Sequence, residues 1–509
     1  MRKLVAATAL AATAATAVAC SPDTGVRTES AAPSVSAAPV SWKACRAAEG
    51  APAGAECGTV RVPVDWNAPD GDKLDVAVVR RKAADPQRRV GTLLFMPGGP
   101  GMSGVETVSG SPEWGGLERR FDVVSFDPRG VGGSGAVKCS TALAEKTAVA
   151  LKTQASDAAG FRQITDASAA LGKDCAGASP ATAKLLKHLD ATSVARDMEA
   201  IRIAIGEKRL SLYGHSYGTV YGQRYAALYG ERVRAAVLDG VMNPRISRAD
   251  FAAQSAKSLE GSFAEFARWC AKDRSCALGG KDAWAVYERV AAKAKAGTLP
   301  RSGDSGRPVD LVRLNAEIDG MLLTPSWSAL ALYLKTLDAG QEWKEDAAEE
   351  QAPAKRQDFA DMAVCADFRM RSSYDEYAAL AARSRSAAPH LGYSPNAVQY
   401  LNLCSGFGVE PSPDAGRAER VATKTPLLLI NARHDNATPL AWARAVADRL
   451  GKNARLVEVD GWGHGMKLFS RGAERDTVVR YLTDLATPEK RVTTVKGDLP
   501  PDVAGQNGR

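Results

Sequence analysis

Short apolar runs alternate with longer helical patterns through the first half of the chain. Four of these runs are mostly apolar and end at glycine or turn residues, as buried strands do: 91–96, 121–126, 210–213 and 233–239. A helical pattern with Asp190 or Thr192 as its capping residue leads into the third run, and another follows it over 221–229. Because strands and helices take turns, the pattern predicts an α/β fold with a mostly parallel sheet.

The pattern changes after residue 242. Strand-like runs give way to amphipathic, alanine-rich helices, which we predict at 252–271, 283–296, 309–322, 326–337, 359–369 and 374–384. Two strand runs then return at 426–432 and 454–459. We expect a helical cap inserted into the sheet domain, although an independent helical domain without a role at the active site is the alternative.

The predicted divisions follow from these changes of pattern. The chain has 509 residues, which is long for one compact core, and we expect two structural parts. The sheet core occupies 42–242 and 421–488, the helical cap 243–420, and a C-terminal tail 489–509.

The first twenty residues have the features of a secretory signal. Residues 1–3 carry positive charge, residues 4–19 are small and apolar, and Ala17-Val-Ala precedes Cys20. The apolar stretch is too short and too rich in alanine for a membrane-spanning helix. Residues 21–41 are rich in serine, alanine and proline and have the composition of a linker.

Cys20 stands where a bacterial lipoprotein is cleaved and acylated, but alanine replaces the usual leucine at position 17. Lipidation of Cys20 and ordinary cleavage after Ala19 therefore both remain open. No other apolar stretch is long enough to span a bilayer. We expect a secreted protein, or one held at the cell surface by a lipid on Cys20.

The cysteine count supports export. Eight of the nine cysteines remain without Cys20, and an even number suits disulfides in an oxidising compartment. We predict that sequence neighbours pair: Cys45–Cys57, Cys139–Cys175, Cys270–Cys276 and Cys365–Cys404. There is no C-x2-C spacing, so we expect no metal site.

Composition and charge exclude some partners. Apolar residues make up 45% and charged residues 24% of the chain, as in soluble globular proteins. The net charge of +8 is spread along the chain without a dense basic, aromatic-rich run. We therefore expect no binding to nucleic acid, and we expect a monomer.

The sequence Gly-His-Ser216-Tyr-Gly lies between the predicted strand 210–213 and the predicted helix 221–229. Strand, G-x-S-x-G and helix in this order form a nucleophile elbow, in which a sharp turn exposes the serine hydroxyl at the end of a sheet. Ser216 is therefore the candidate nucleophile. The backbone N–H of Tyr217 is expected to stabilise an oxyanion.

Two glycine-rich loops, 97–104 and 127–135, each contain G-x-G-x-x-G after a predicted strand. A dinucleotide-binding fold would need a long helix directly after the third glycine, and neither loop has one. In hydrolases with a nucleophile elbow, the second oxyanion donor comes from the loop after an early strand. We expect that donor among Gly99, Gly101 and Met102.

A serine nucleophile needs a histidine base, and the base needs a carboxylate that orients it. Ser216, Asp435 and His464 occur in the order serine, acid, histidine that is typical of elbow hydrolases, each just beyond a predicted strand. All three are expected at the carboxyl edge of one sheet, where open α/β folds bind ligands. Asp460 is the alternative acid, and the remaining histidines are weaker candidates for the base: His188, His215, His390 and His434.

Five motifs in order extend this pattern: the segments 97–104, 127–134, 214–219, 237–241 and 435–439. Together they resemble the secreted tripeptidyl aminopeptidases of actinomycetes, which are α/β-hydrolase relatives of the proline iminopeptidases. The resemblance covers residues 42–490. It implies an α/β-hydrolase fold and a serine exopeptidase that needs no cofactor and releases short peptides from free N-termini.

One segment departs from the family. Members often have Cys-x-x-Trp where this chain has Cys404-Ser-Gly-Phe407, which affects the expected detail of the substrate pocket and leaves the chemistry unchanged.

An exopeptidase of this kind must bind the cationic α-ammonium group of its substrate, which calls for a carboxylate in the cleft. Asp367 in the cap is the first candidate and Glu106, after the oxyanion loop, the second. Two other functions stay open: an esterase or amidase with the same catalytic groups, and a non-catalytic binding protein on a hydrolase scaffold.

Overall fold

The structure is a computed structural model that describes residues 35–45, 52–300, 308–343, 356–417 and 420–497. The predicted signal segment with Cys20, most of the predicted linker and residues 498–509 lie outside these ranges.

The described part of the chain contains both strands and helices. In chain order, the strands are β1 (Lys43–Ala44), β2 (Ala55–Pro63), β3 (Lys73–Arg81), β4 (Gly91–Met96), β5 (Phe121–Phe126), β6 (Lys138–Ser140), β7 (Leu210–His215), β8 (Val233–Asp239), β9 (Arg356–Asp358), β10 (Leu427–His434), β11 (Ala454–Trp462) and β12 (Val492–Lys496). The α-helices are α1 (Gly104–Gly110), α2 (Thr141–Lys152), α3 (Ala158–Ala176), α4 (Pro180–Leu185), α5 (Ala191–Ala204), α6 (Gly218–Leu228), α7 (Arg248–Lys272), α8 (Ala283–Lys295), α9 (Leu311–Leu323), α10 (Trp327–Asp338), α11 (Ala363–Asp367), α12 (Tyr374–Ala387), α13 (Pro395–Gly406), α14 (Leu440–Leu450) and α15 (Ala473–Asp484).

Ten of the described strands form one sheet in the order β1-β2-β3-β5-β4-β7-β8-β10-β11-β12. The pairs β1–β2, β2–β3 and β3–β5 are antiparallel, and every later pair in this order is parallel. The loops that follow β4, β7, β8, β10 and β11 therefore meet at one edge of the sheet. The predicted α/β fold with a mostly parallel sheet is confirmed.

Both faces of the sheet pack against apolar clusters. Neighbouring residues of a strand point to opposite sides, so one strand contributes to both clusters. In β4, Leu94 and Met96 join the apolar cluster beneath α5 and α6, whereas Leu93 and Phe95 join the cluster beneath α15. The helix α5 begins where the sequence predicts, since the side chain of Asp190 accepts a hydrogen bond from the N–H of Ser193.

Between β8 and β10, the regular elements of the described residues are helices, apart from the short strand β9. Residues of α7 to α10 pack around an apolar cluster of their own, which includes Phe263, Tyr287 and Leu330. Residues of α11, α12 and α13 join the cluster that lies against the sheet. The segment predicted as a helical cap thus has an internal core and also packs on the sheet.

Some elements differ from the predicted pattern. The helix predicted at 359–369 is only the five-residue α11, and the pattern predicted neither α13 nor the helices α2 to α4. Strand β12 lies in the segment expected to be a tail and pairs in parallel with β11. Alternate residues of β12 are exposed, and so its sequence has little of the apolar character that marks a buried strand.

The structure contains the four predicted disulfides, Cys45–Cys57, Cys139–Cys175, Cys270–Cys276 and Cys365–Cys404. Within the part of the chain that is described, no helix combines the length and apolar character needed to cross a membrane.

Candidate active site

Ser216 occupies the turn between β7 and α6. Its φ is +55°, a left-handed conformation that is strained for residues other than glycine, and its N–H donates to the carbonyl of Asp239 at 2.8 Å. A Cβ on Gly214 would lie 2.7 Å from the carbonyl oxygen of Gly218, and a Cβ on Gly218 would collide with the carbonyl oxygen of Met96. The two flanking glycines are therefore required by the close packing of this turn against the end of β4.

Asp435 and His464 are hydrogen-bonded to each other. The Nδ1 atom of His464 lies 2.8 Å from Oδ2 of Asp435, whose side chain is buried. The Oδ1 atom of Asp435 accepts from the backbone N–H groups of Ala437 and Thr438 at 2.9 and 2.8 Å, and the hydroxyl of Thr438 donates to Oδ2 at 2.9 Å. These bonds hold the carboxylate in one orientation toward the imidazole.

The loop after β11 carries His464. Its backbone N–H donates to the carbonyl of Leu323 in α9 at 2.8 Å, which ties the loop to the helical region. Gly240 makes room for the ring, because a Cβ there would lie 2.8 Å from Cε1 of His464. The Nε2 atom of His464 is buried and has no hydrogen-bond partner among the described residues.

The alternative acid Asp460 and the alternative base His215 take no part in the hydrogen bond between Asp435 and His464. Asp460, the other candidate acid, forms an exposed ion pair with Arg433 at 2.8 Å and takes no part in the bond to His464. The ring of His215 packs 4.7 Å from that of His464, centroid to centroid. Burial, with smaller effects of His464 and Lys467, lowers the pKa of His215 well below its usual range, so this neighbour adds no charge at neutral pH.

Each of the three other histidines lies within 4 Å of a carboxylate other than Asp435. The ring of His188 lies 3.9 Å from Asp65, that of His390 lies 2.8 Å from Glu288, and that of His434 lies 3.2 Å from Glu265.

The expected oxyanion residues are partly brought together. Tyr217 precedes α6 directly, where the first N–H groups of a helix have no partner inside the helix, and it lines the same cavity as Gly99 and Met102. The N–H of Met102 donates to the carbonyl of Gly98 at 3.3 Å and is thus used within its own loop. Gly101 is not in the cavity wall, and a Cβ added to it would lie 3.1 Å from the side chain of Ala360. Gly99 is the loop residue that best fits the expected role.

The two carboxylates expected to bind a substrate amine are not in the wall of this cavity. Asp367 lies behind Tyr217, whose hydroxyl donates to Oδ2 at 2.6 Å, and the N–H of Ala191 donates to Oδ1 at 2.7 Å. Burial, and secondly the charge of Asp190, raises the pKa of Asp367 to about 7. Glu106 is exposed in the first turn of α1. Sequence position alone could not reveal that Tyr217 separates Asp367 from the cavity.

Ser216, His464 and the oxyanion loop share a cavity of about 270 Å³. Its wall is mostly apolar and comes from both the sheet edge and the helical region, which contributes Phe251 of α7, Leu323 of α9, Val364 of α11 and Tyr400 of α13. An independent helical domain without a role at the site does not fit this arrangement.

Polar residues that no sequence argument singled out also belong to the site. The hydroxyl oxygen of Thr438, which donates to Asp435, lies 3.2 Å from Nδ1 of His464. Asn396 and Asn436 line the cavity. Both asparagines bond Asp319 of α9. The motif Asp435-Asn-Ala-Thr-Pro contains Asn436 and Thr438 and could have identified both. Asn396 lies in α13, a helix that the sequence pattern did not predict.

The family described as "alpha/beta hydrolase fold" matches residues 91–470, about three quarters of the chain. The chain belongs to the α/β hydrolase fold family. It is an enzyme of that fold.

Curated relatives extend over almost the whole chain. The serine protease Hip1 of Mycobacterium tuberculosis is 29% identical over 512 residues, which cover 96% of this chain and 96% of the relative. The tripeptidyl aminopeptidase of Streptomyces coelicolor is 26% identical over 471 residues, which cover 89% of this chain and 85% of the relative. A protein named carboxylesterase B from M. tuberculosis is 29% identical, with 88% of each chain covered. The resemblance to tripeptidyl aminopeptidases is thereby confirmed.

Proposed function

We propose that the protein is a serine exopeptidase that releases short peptides from free N-termini, with tripeptides as the main product. The observation that carries this proposal is the hydrogen bond between Asp435 and His464, because His464 lines the same cavity as Ser216. The relatives named serine protease and tripeptidyl aminopeptidase support it.

In the proposed reaction the hydroxyl of Ser216 attacks the scissile carbonyl and transfers its proton to Nε2 of His464. Asp435 keeps Nδ1 protonated and stabilises the imidazolium. The N–H groups of Tyr217 and Gly99 bind the oxyanion of the tetrahedral intermediate. His464 then returns the proton to the leaving amine, and water hydrolyses the acyl-enzyme to free the N-terminal fragment and regenerate Ser216.

Exopeptidase action is favoured by the small volume of the cavity. Helical residues such as Phe251 and Leu323 contribute to its wall, and its volume of about 270 Å³ is slightly below the range of about 300–1,000 Å³ that is usual for ligand sites. A site of this size suits the end of a chain better than its middle.

We propose further that the enzyme is an exported monomer without a cofactor. The four disulfides support export, since such bonds persist in oxidising compartments. A lipid on Cys20 as a membrane tether remains part of this proposal.

The test compares one peptide that has a free N-terminus with its N-acetylated form, and mass spectrometry identifies every fragment. The proposal expects tripeptides or dipeptides from the free form alone. The variant Ser216→Ala should lose this activity by at least about 10⁴-fold and should not react with a fluorophosphonate. Equal cleavage of both peptides would contradict exopeptidase action and indicate an endopeptidase.

An esterase or amidase is the second candidate, because one relative is named carboxylesterase B and the cavity wall is mostly apolar. Cleavage of neither peptide, with Ser216 still reacting with the fluorophosphonate, would favour this function.

A further inference from the structure

Besides Asp435, three carboxylates among the described residues lie one layer behind the cavity wall. Asp367 lies behind Tyr217, Asp361 is bonded by Gln399 next to Tyr400, and Asp319 is bonded by Asn396 and Asn436. Neither lysine nor arginine is among the described residues of the wall. Since the described wall has no cationic side chain and acidic groups lie behind it, the cavity suits a positively charged ligand group.

Asp319 differs from the other two because two side chains of the wall connect it to the cavity. The side-chain nitrogen of Asn396 donates to Oδ2 of Asp319 at 2.8 Å, and that of Asn436 donates to Oδ1 at 2.6 Å. The nitrogen of Asn436 also donates to the backbone carbonyl of Asp319 at 3.0 Å.

These bonds fix the orientation of the Asn436 amide. A side-chain amide has two N–H donors, and both donors of Asn436 are used by Asp319. The carbonyl oxygen of Asn436 consequently points away from Asp319. It is buried, and it has no hydrogen-bond partner among the described residues, while the side chain itself lines the cavity.

A buried carbonyl oxygen without a donor costs free energy, and a small shift of its side chain on binding lets such a group in a cavity wall accept a hydrogen bond from the ligand. The bonds to a carboxylate draw electron density toward the oxygens of both amides and strengthen them as acceptors. A ligand group with several N–H donors and a positive charge satisfies both features at once.

The pKa of Asp319 is raised by burial to about 6, which is still below neutral pH. The hydrogen bond from Asn436 and the charge of Lys152 act against the effect of burial. Lys152 lies at the end of α2, outside the wall of the cavity.

We propose that the side-chain oxygens of Asn436 and Asn396, backed by the carboxylate of Asp319, bind the α-ammonium group of the substrate. This inference rests on the proposed exopeptidase function and gives it a residue-level basis for reading a free N-terminus. It replaces Asp367 and Glu106 as the expected amine-binding residues.

The test uses the full-length enzyme and two tripeptide anilides that differ only at the N-terminus: one carries the ammonium group and the other, a des-amino analogue, carries hydrogen. In Asp319→Asn, kcat/KM for the ammonium substrate should fall roughly tenfold or more, through a higher KM, because a charged hydrogen bond is lost. The value for the des-amino analogue and the rate of fluorophosphonate labelling should stay within about twofold.

Asp361→Asn is the matched control, since it removes a carboxylate bonded to Gln399 and leaves the asparagine pair intact. Its preference for the ammonium substrate should equal that of the wild type. Asn396→Leu is a second variant, which decides the question if Asp319→Asn does not fold. Asn396→Leu should also lose preference for the ammonium substrate, and it leaves Asn436, the residue next to Asp435, unchanged.

Each other outcome overturns the inference in a recognisable way. Equal losses with both substrates in Asp319→Asn would mean a structural role for the carboxylate. A loss of preference in Asp361→Asn alone would move the ammonium site to that residue. If the wild type already treats both substrates alike, the proposed exopeptidase function fails, and the ammonium site fails with it.

Discussion

At the scale of single residues, the structure discriminates between two acids that sequence position alone left open. Asp435 bonds Nδ1 of His464, and Asp460 bonds Arg433 at the surface. Asp435→Asn keeps the size of the side chain but stabilises the wrong imidazole tautomer, so kcat should fall by about 10⁴-fold. Steady-state hydrolysis of a tripeptide anilide measures this loss.

The control for that prediction is Asp460→Asn, which removes an exposed carboxylate from the same edge of the sheet. Exposed ion pairs contribute little, and its kcat should stay within about twofold of the wild type. A large loss in Asp460→Asn together with an active Asp435→Asn would reverse the assignment of the acid.

At the scale of secondary-structure elements, α11 is joined to α5 and to the elbow by the buried carboxylate of Asp367, which accepts from Ala191 and Tyr217. The pKa of Asp367 is raised to about 7, far above its ordinary value near 3.8. Between these two values the folded chain keeps a proton that the unfolded chain has released. Stability therefore decreases as the pH rises through this window.

Asp367→Asn removes this titration, because an amide cannot ionise. The free energy of unfolding of this variant, taken relative to that of the wild type, should be roughly 3 kcal/mol higher at pH 8 than at pH 5. Urea denaturation of both proteins at the two pH values provides the measurement. A difference that does not change with pH would show that Asp367 is ionised in the folded chain well below pH 5.

Elements also differ in how well their sequence predicts them. β4 and β5 are buried on both sides, so their apolar runs give the boundaries directly. Helix α13 was not predicted although it carries Asn396, because its sequence Pro-Asn-Ala-Val-Gln-Tyr-Leu-Asn-Leu-Cys-Ser-Gly mixes buried polar and apolar residues. The buried Asn402, for example, donates to the carbonyls of Leu151 and Thr153, and such tertiary bonds leave no periodic signal.

At the scale of the whole molecule, the order of the strands was enough to predict that Ser216, Asp435 and His464 lie at one edge of the sheet, because the carboxyl ends of parallel strands lie at the same edge. The same reasoning could not predict which residues lie directly behind the cavity wall. The partners of Asp319 and Asp367 are more than 70 residues away along the chain, and only the packing of helices on the sheet determines which carboxylate reaches the cavity.

Disulfides connect this packing to the stability of the molecule. Cys365–Cys404 joins α11 to α13, two helices that line the cavity, with a sequence separation of 39, whereas Cys270–Cys276 closes a separation of only 6. The chain-entropy model assigns about 4 kcal/mol to the longer loop and about 2 kcal/mol to the shorter one. Replacing both cysteines of a pair by alanine should therefore lower the free energy of unfolding more for Cys365–Cys404, as guanidinium denaturation can measure.

Activity should separate the two disulfide variants further. Loss of Cys365–Cys404 frees the helices that carry Val364 and Tyr400 in the cavity wall, so KM should rise under conditions where the variant is still folded. Cys270–Cys276 lies at the end of α7 that belongs to the separate helical cluster, and its loss should leave KM unchanged. Equal effects of the two variants on KM would mean that the cavity wall keeps its shape without the covalent bond between α11 and α13.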